Sequence, residues 1–188
     1  MDRAIVHATQ ELLVERGYAA LTVDAVASRA GVGKAAIYRR YATKQEMIFS
    51  ATVHDMQAQP PPDCGSLGAD LAALAGAFVT QLSRAPSDVL AGLLADIYSD
   101  AALGARFSET FLVNERLVVE AVLERAHVRG ELDVLPDVTL VQALLLGPIF
   151  AWLLILDGDA QAADRLAQTA AQAVEFVLRR TFDLPEVG

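Results

Sequence analysis

Cysteine is almost missing from this sequence. Its 188 residues hold a single one, Cys64, which excludes an internal disulfide and any Cys-rich zinc site. Long apolar runs are also missing. The longest, Ala143 to Leu156, is broken by Gly147 and Pro148 and is shorter than the ~20 residues needed to cross a bilayer. Met1 to His7 contain no apolar stretch of the kind found in secretory signals. A cytoplasmic chain with no membrane partner is expected. Basic residues are scarce, with 15 Lys and Arg against 24 Asp and Glu and a net charge of −9. That excludes a protein that coats nucleic acid by overall charge, but it leaves a local basic reader open. No G-x-S-x-G, H-E-x-x-H, P-loop or Rossmann glycine pattern occurs, so neither an enzyme nor a cofactor is expected. His7, His54 and His127 are too scattered to pair on a metal, and Asp96 and Asp100 lack a third acid nearby.

What is present is apolar and helical. Hydrophobic residues make up 54% and charged residues 21%. This excludes disorder and exceeds what a lone monomer usually buries, which points to a subunit interface. Gly17, Gly31-Val32-Gly33, Pro60-Pro61-Pro62, Pro86, Gly104, Gly130, Pro136 and Asp157-Gly158-Asp159 divide the chain. No alternating run of the strand type lies between them. Helices are expected over about 2–16, 22–30, 34–41 and 43–57, with Gly17 closing the first. Thr22 is placed to cap the second, and Thr43 to Glu46 to open the fourth as a capping box. Residues 58–66 read as a mobile, polyproline-like linker. Longer helices follow at about 67–84, 87–100, 104–129, 137–156 and 160–182, with Asp157-Gly158 as the final turn and a kink at Pro148.

Charge divides along the same line. Residues 1–58 carry seven basic and six acidic side chains, and the other 130 residues carry −10. Arg29 to Lys44 contain five cations and no acid, including both lysines of the chain. Two short helices around a Gly-Val-Gly step, with cations on the second, read as a helix-turn-helix. Ile37 and Tyr41 would face inward onto Val26, Leu12 and Ile48. Lys34, Ala35, Tyr38 and Arg39 would face outward, where Arg39 can fork onto guanine or phosphate. Lys44 would hold a phosphate.

The stretch Leu21-Thr22-Val23 through Ala30-Gly31-Val32-Gly33-Lys34 to Ile37-Tyr38-Arg39-Arg40-Tyr41 and Lys44 resembles the DNA-binding region of the TetR family of transcriptional regulators. The resemblance covers about a quarter of the chain. It implies an all-α fold, with an N-terminal three-helix helix-turn-helix module (1–57), a linker (58–66) and a C-terminal helical ligand-binding and dimerisation domain (67–188). It also implies a homodimer that binds a near-palindromic double-stranded operator, usually as a repressor, and releases it when a small-molecule effector enters. By similarity, Thr22, Gly33, Lys34, Ala35, Ala36, Tyr38, Arg39, Arg40 and Lys44 fall at DNA-facing positions. Gly33 and Ala36 stand where the family often has hydroxyl residues, which shifts readout toward Arg39 and Arg40.

In the remainder, Phe78, Tyr98, Phe107, Phe111 and Trp152 are the candidate ligand-binding residues. They suit an apolar or amphipathic effector. Leu144, Phe150, Ala173, Val174 and Val177 lie on the two last helices, which would pair with their two-fold mates in a four-helix dimer interface. The other reading is a helical dimer whose N-terminal module binds protein rather than DNA.

Overall fold

A computed structural model describes residues 2–53, 60–156 and 159–181. Among these, the order is α1 (Asp2–Ala20), α2 (Val23–Ala30), α3 (Lys34–Tyr38), α4 (Lys44–Val53), α5 (Leu67–Leu82), α6 (Ser87–Ser99), α7 (Ala101–Phe107), a π-helical turn (Ser108–Leu112), α8 (Val113–Val128), α9 (Val138–Leu154) and α10 (Ala160–Thr181). No strand occurs among the described residues. The Asp157-Gly158 turn, His54, the first two linker residues and the expected ends of two helices, at 54–57 and 182, lie outside them.

The chain divides into two compact units, residues 1–57 with 84–112 and residues 58–83 with 113–188. The sequence grouped 67–188 together. By packing, however, α6, α7 and the π turn go with the N-terminal module. The expected helix at 104–129 is three pieces, because the π turn shifts the helical register before α8.

In the first unit Ile5, Ala8, Leu12 and Leu13 of α1 meet Val26, Ala27, Ile37, Tyr41, Met47 and Ile48, with Val89 of α6 closing the cluster. A second cluster joins Phe49, Leu93 and Leu103 to Tyr18, Ile97 and Phe107. Gly17 sits at φ 75°, ψ 178°, a backbone that disfavours a side chain, and it breaks α1 before one further turn to Ala20. That turn aims Tyr18 at α6. Its backbone N–H donates to Asp88 at 3.0 Å and its hydroxyl donates to Asp96. Asp100 caps α7, accepting from Ala102 and Leu103.

In the second unit α10 lies against α5 and α9, and α8 lies against both α5 and α9. The inner face of α10 is mostly alanine (Ala163, Ala167, Ala170 and Ala171), so its neighbours approach closely. Leu67, Leu71, Leu74, Phe78 and Val79 of α5 complete the core with Val118, Val119, Val122 and Leu123 of α8 and Leu145 and Ile149 of α9. Each such large side chain, fully buried, contributes about 1.5–3 kcal/mol.

The described part of the linker is not free. Arg125 donates to the Pro61 carbonyl at 2.8 Å. Arg129 pairs with Asp63 at 2.7 Å and with the fully buried Asp70 at 3.0 Å. Asp70 in turn accepts the Cys64 backbone N–H at 2.8 Å. Within the stretch expected to be a mobile linker, Pro61, Asp63 and Cys64 are thus tied to side chains outside it. Arg125 of α8 and Arg129 just past its end, distant in sequence, strap that segment down.

Candidate nucleic-acid interface

The geometry of the basic module starts with its caps. The Thr22 hydroxyl accepts the Ala25 N–H at 3.2 Å and opens α2. Gly31, at φ 66°, ψ 31°, closes α2 in the left-handed region, with Val32 N–H donating to the Ala27 carbonyl at 3.0 Å. Gly33 then caps α3 without a side chain. At the far end Glu46 N–H donates to the Thr43 hydroxyl at 3.0 Å, while the Glu46 carboxylate accepts the Ala42 N–H at 2.6 Å. This is a capping box shifted by one residue. Glu46 also pairs with Arg106 of α7.

The helix expected over 34–41 ends at Tyr38, and these caps hold α3 and the turn after it with Ile37 and Tyr41 buried and with Gly33, Lys34, Ala35, Tyr38, Arg39 and Arg40 exposed. Thr22 is exposed as well. Lys34 pairs with Asp24 in the first turn of α2, which brings the starts of the two helices together. Tyr38 presents half its surface to solvent. Arg40 reaches back to the Ala36 carbonyl at 3.5 Å. One expected contact residue is corrected. Ala36 is 8% exposed, because it neighbours Ile37 on the packed side of a helix only five residues long, and it offers no surface to a partner.

Lys44 is half-buried. Its Nζ donates to the Leu21 carbonyl at 3.2 Å and lies 5.6 Å from the centre of the Tyr18 ring. Tyr18 is a neighbour of Lys44 that sequence reasoning missed. Its partners Asp88 and Asp96 lie 70 and 78 residues away, and no local pattern signals them. Of the five cations between 29 and 44, Arg29 is bound by Glu11 at 3.1 Å and Glu15 at 2.8 Å. That pairing locks α1 to α2, and the hydrogen bond from Arg29 holds the Glu15 carboxyl below its usual range.

The expected ligand residues are divided between the units. Phe107 stacks on Phe111 at 5.2 Å and meets Phe49 edge-on at 6.1 Å in the first unit. Tyr98, also in the first unit, is 90% exposed and lines no interior. In the second unit Phe78 stacks on Phe150 at 6.5 Å, and the Trp152 indole N–H donates to the Asp159 carbonyl at 3.3 Å. Of the expected interface residues, Leu144, Ala173 and Val177 are exposed. Val174 is buried in its own unit and Phe150 is half-buried against Phe78. Val174 is corrected to an internal packing role, one helical step from the exposed stripe, whereas Phe150 keeps part of its surface open. Among the described residues no group of three or more His, Cys, Asp or Glu is placed to hold a metal ion. None of their helices is long and apolar enough to cross a membrane.

Comparison with known proteins matches residues 5–51 to the bacterial regulatory proteins of the tetR family. Residues 61–174 match the tetracyclin repressor-like C-terminal domain. The uncharacterized HTH-type transcriptional regulator YdeS of Bacillus subtilis is 34% identical over 160 residues, 84% of this chain and 79% of that protein. Among solved structures, the TetR family transcription regulator SCO0332 is 28% identical with a TM-score of 0.72, covering 93% of this chain and 96% of that one. The regulator FadR from Bacillus subtilis, solved with stearoyl-CoA, shares the fold at 19% identity and a TM-score of 0.64, covering 93% and 97%.

Proposed function

The chain belongs to the tetR family of transcriptional regulators, and from that premise we propose that it is a repressor that binds a near-palindromic operator as a homodimer. A small apolar or amphipathic effector entering the second unit releases it. Members of this family are DNA-binding regulators rather than enzymes. The observation that carries the operator reading is the exposed face of α3 and of the turn that follows it. Lys34, Tyr38, Arg39 and Arg40 point to solvent while Ile37 and Tyr41 anchor the helix. A short helix held this way fits a major groove, and its arginines have the fork geometry that reads guanine. Thr22, Gly33, Ala35 and Lys44 complete the surface, with Lys44 held ready for a phosphate.

The homodimer reading is supported by large apolar side chains left exposed on two neighbouring helices, Leu140 and Leu144 on α9 and Phe176 and Val177 on α10. A four-helix pairing across a two-fold axis would cover them. The effector reading is supported by the apolar interior of the second unit around Phe78 and Phe150. The same fold holds stearoyl-CoA in FadR.

Selection of bound duplexes from random DNA tests the proposal. A two-fold sequence bound at sub-micromolar concentration, with affinity falling steeply as salt rises, is the expected result. Enrichment of no sequence, with retention of protein partners instead, would favour a protein-binding module.

A further inference from the structure

Glu115 occupies the inner face of α8, on the stripe that Val118, Val119 and Val122 continue. It is 2% exposed, and its Oε1 has no hydrogen-bond partner. On α5, Gln81 has a buried Nε2 in the same condition. The two side chains are neighbours, since the Gln81 amide favours the ionised carboxylate. Burial acts against it and dominates, so the Glu115 carboxyl is pushed up to about 7. A buried carboxylate without a partner costs several kcal/mol.

The helices packed on α8 supply no compensating cation. α9 has no charged residue. α5 has only Asp70, an acid already paired with Arg129. On α8 itself Arg116, Glu120 and Glu124 are exposed, and Arg125 further along and Arg129 beyond its end reach Pro61, Asp63 and Asp70. The rest of the surroundings is core, including Phe78, Leu82, Val118 and Val119. A buried acid with no cation beside it and an unsatisfied Oε1 calls for a functional explanation.

We propose that Glu115 and Gln81 form the polar recognition point of the effector site, and that the effector is a mainly apolar molecule bearing a protonated amine. This rests on the reading of the second unit as the effector-binding part. An ammonium head donates to Glu115 Oε1 and supplies the positive charge that the surrounding helices lack. The apolar body lies against the aromatic and aliphatic side chains. The spare Gln81 N–H suits an ether or hydroxyl oxygen beside the amine. A fatty carboxylate would set like charge against Glu115 and is disfavoured.

Dodecylamine is the probe, with dodecanoate of equal chain length as control. Both are added below their micelle concentrations to the full-length protein, and binding is followed by Trp152 fluorescence and calorimetry. Saturable dodecylamine binding is expected, weakened about tenfold or more in Glu115→Gln, with dodecanoate binding more weakly than the amine. If Glu115→Gln does not fold, Gln81→Ala takes its place, with a loss of about threefold expected. Duplex binding measured on the same preparations separates the two ideas. If the duplex is bound but dodecylamine is not bound, or is bound equally by wild type and variant, the amine assignment is overturned and the regulator reading stands. If no duplex is bound while amine binding depends on Glu115, the regulator reading fails and the recognition point stands.

Discussion

Replacing Glu115 with glutamine removes a titrating group from the middle of a helix bundle, and the effect on stability follows from its burial. The carboxyl ionises near its ordinary 4.5 in the unfolded chain and near about 7 in the folded one. Between those values the folded state keeps a proton that the unfolded state has released. Wild-type stability from this group therefore falls as pH rises from 4.5 to about 7 and levels off above. At about 1.4 kcal/mol per pH unit, the loss is about 3 kcal/mol. Glutamine has nearly the same shape and no charge at any pH. Other carboxyls titrate in the opposite sense, because cationic partners lower Glu15 and hydrogen bonds with arginine pairing lower Glu131. They are common to both proteins and cancel in the difference. Urea unfolding of wild type and Glu115→Gln, at one fixed protein concentration and at steps from pH 4.5 to 8, gives that difference directly. The variant should gain about 3 kcal/mol relative to wild type across the range. A difference that stays level within about 0.5 kcal/mol would refute the idea that this carboxyl is desolvated and unpaired.

Other perturbations follow the same logic. Tyr18→Phe removes the hydroxyl that donates to Asp96 while keeping the ring beneath Lys44; it should cost about 1 kcal/mol in urea unfolding, and an unchanged midpoint would mean the bond contributes nothing. Arg129→Met leaves the buried Asp70 with the Cys64 N–H and with the more distant Arg125, at 3.9 Å, as its one cation, and should cost about 2 kcal/mol or more, whereas a loss below about 0.5 kcal/mol would reject the strap on residues 61–65. Val177→Glu places a charge on the exposed apolar stripe of α10 and should shift sedimentation toward monomer, whereas an unchanged mass would remove that stripe from the interface.

The elements set by short-range chemistry were legible in the sequence. Thr22, Gly31 and the Thr43–Glu46 box mark helix ends through local hydrogen bonds, and Ile37 and Tyr41 declare the inward face of α3 by spacing alone. Ala36 was misplaced because a five-residue helix is too short for periodicity to separate its sides. The siding of α6 and α7 with the N-terminal module shows in Val89, Leu93 and Leu103 packing on its core and in Tyr18 reaching Asp88 and Asp96, contacts that no local window contains. The strap on residues 61–65 needs Arg125 and Arg129, more than sixty positions on. Aromatic composition alone could not divide Phe78 from Phe107 and Phe111, because which helices are neighbours decides it. Glu115 did leave a signal. It occupies a core position of an otherwise apolar stripe with Val118 and Val122, where an acid is out of pattern.

The central claim is that α3 and the turn after it read duplex DNA through their exposed cations. Its most direct test is the affinity of wild type and Arg39→Ala for the selected duplex and for a scrambled duplex of equal length, across a series of salt concentrations. Wild type should prefer the selected duplex by a thousandfold or more, as about 10³ is the low end for specific readers. Arg39→Ala should lose about 1–3 kcal/mol on that duplex and relax the preference at one base position. Equal affinity for both duplexes, or an Arg39→Ala variant indistinguishable from wild type, would contradict the assignment of this face.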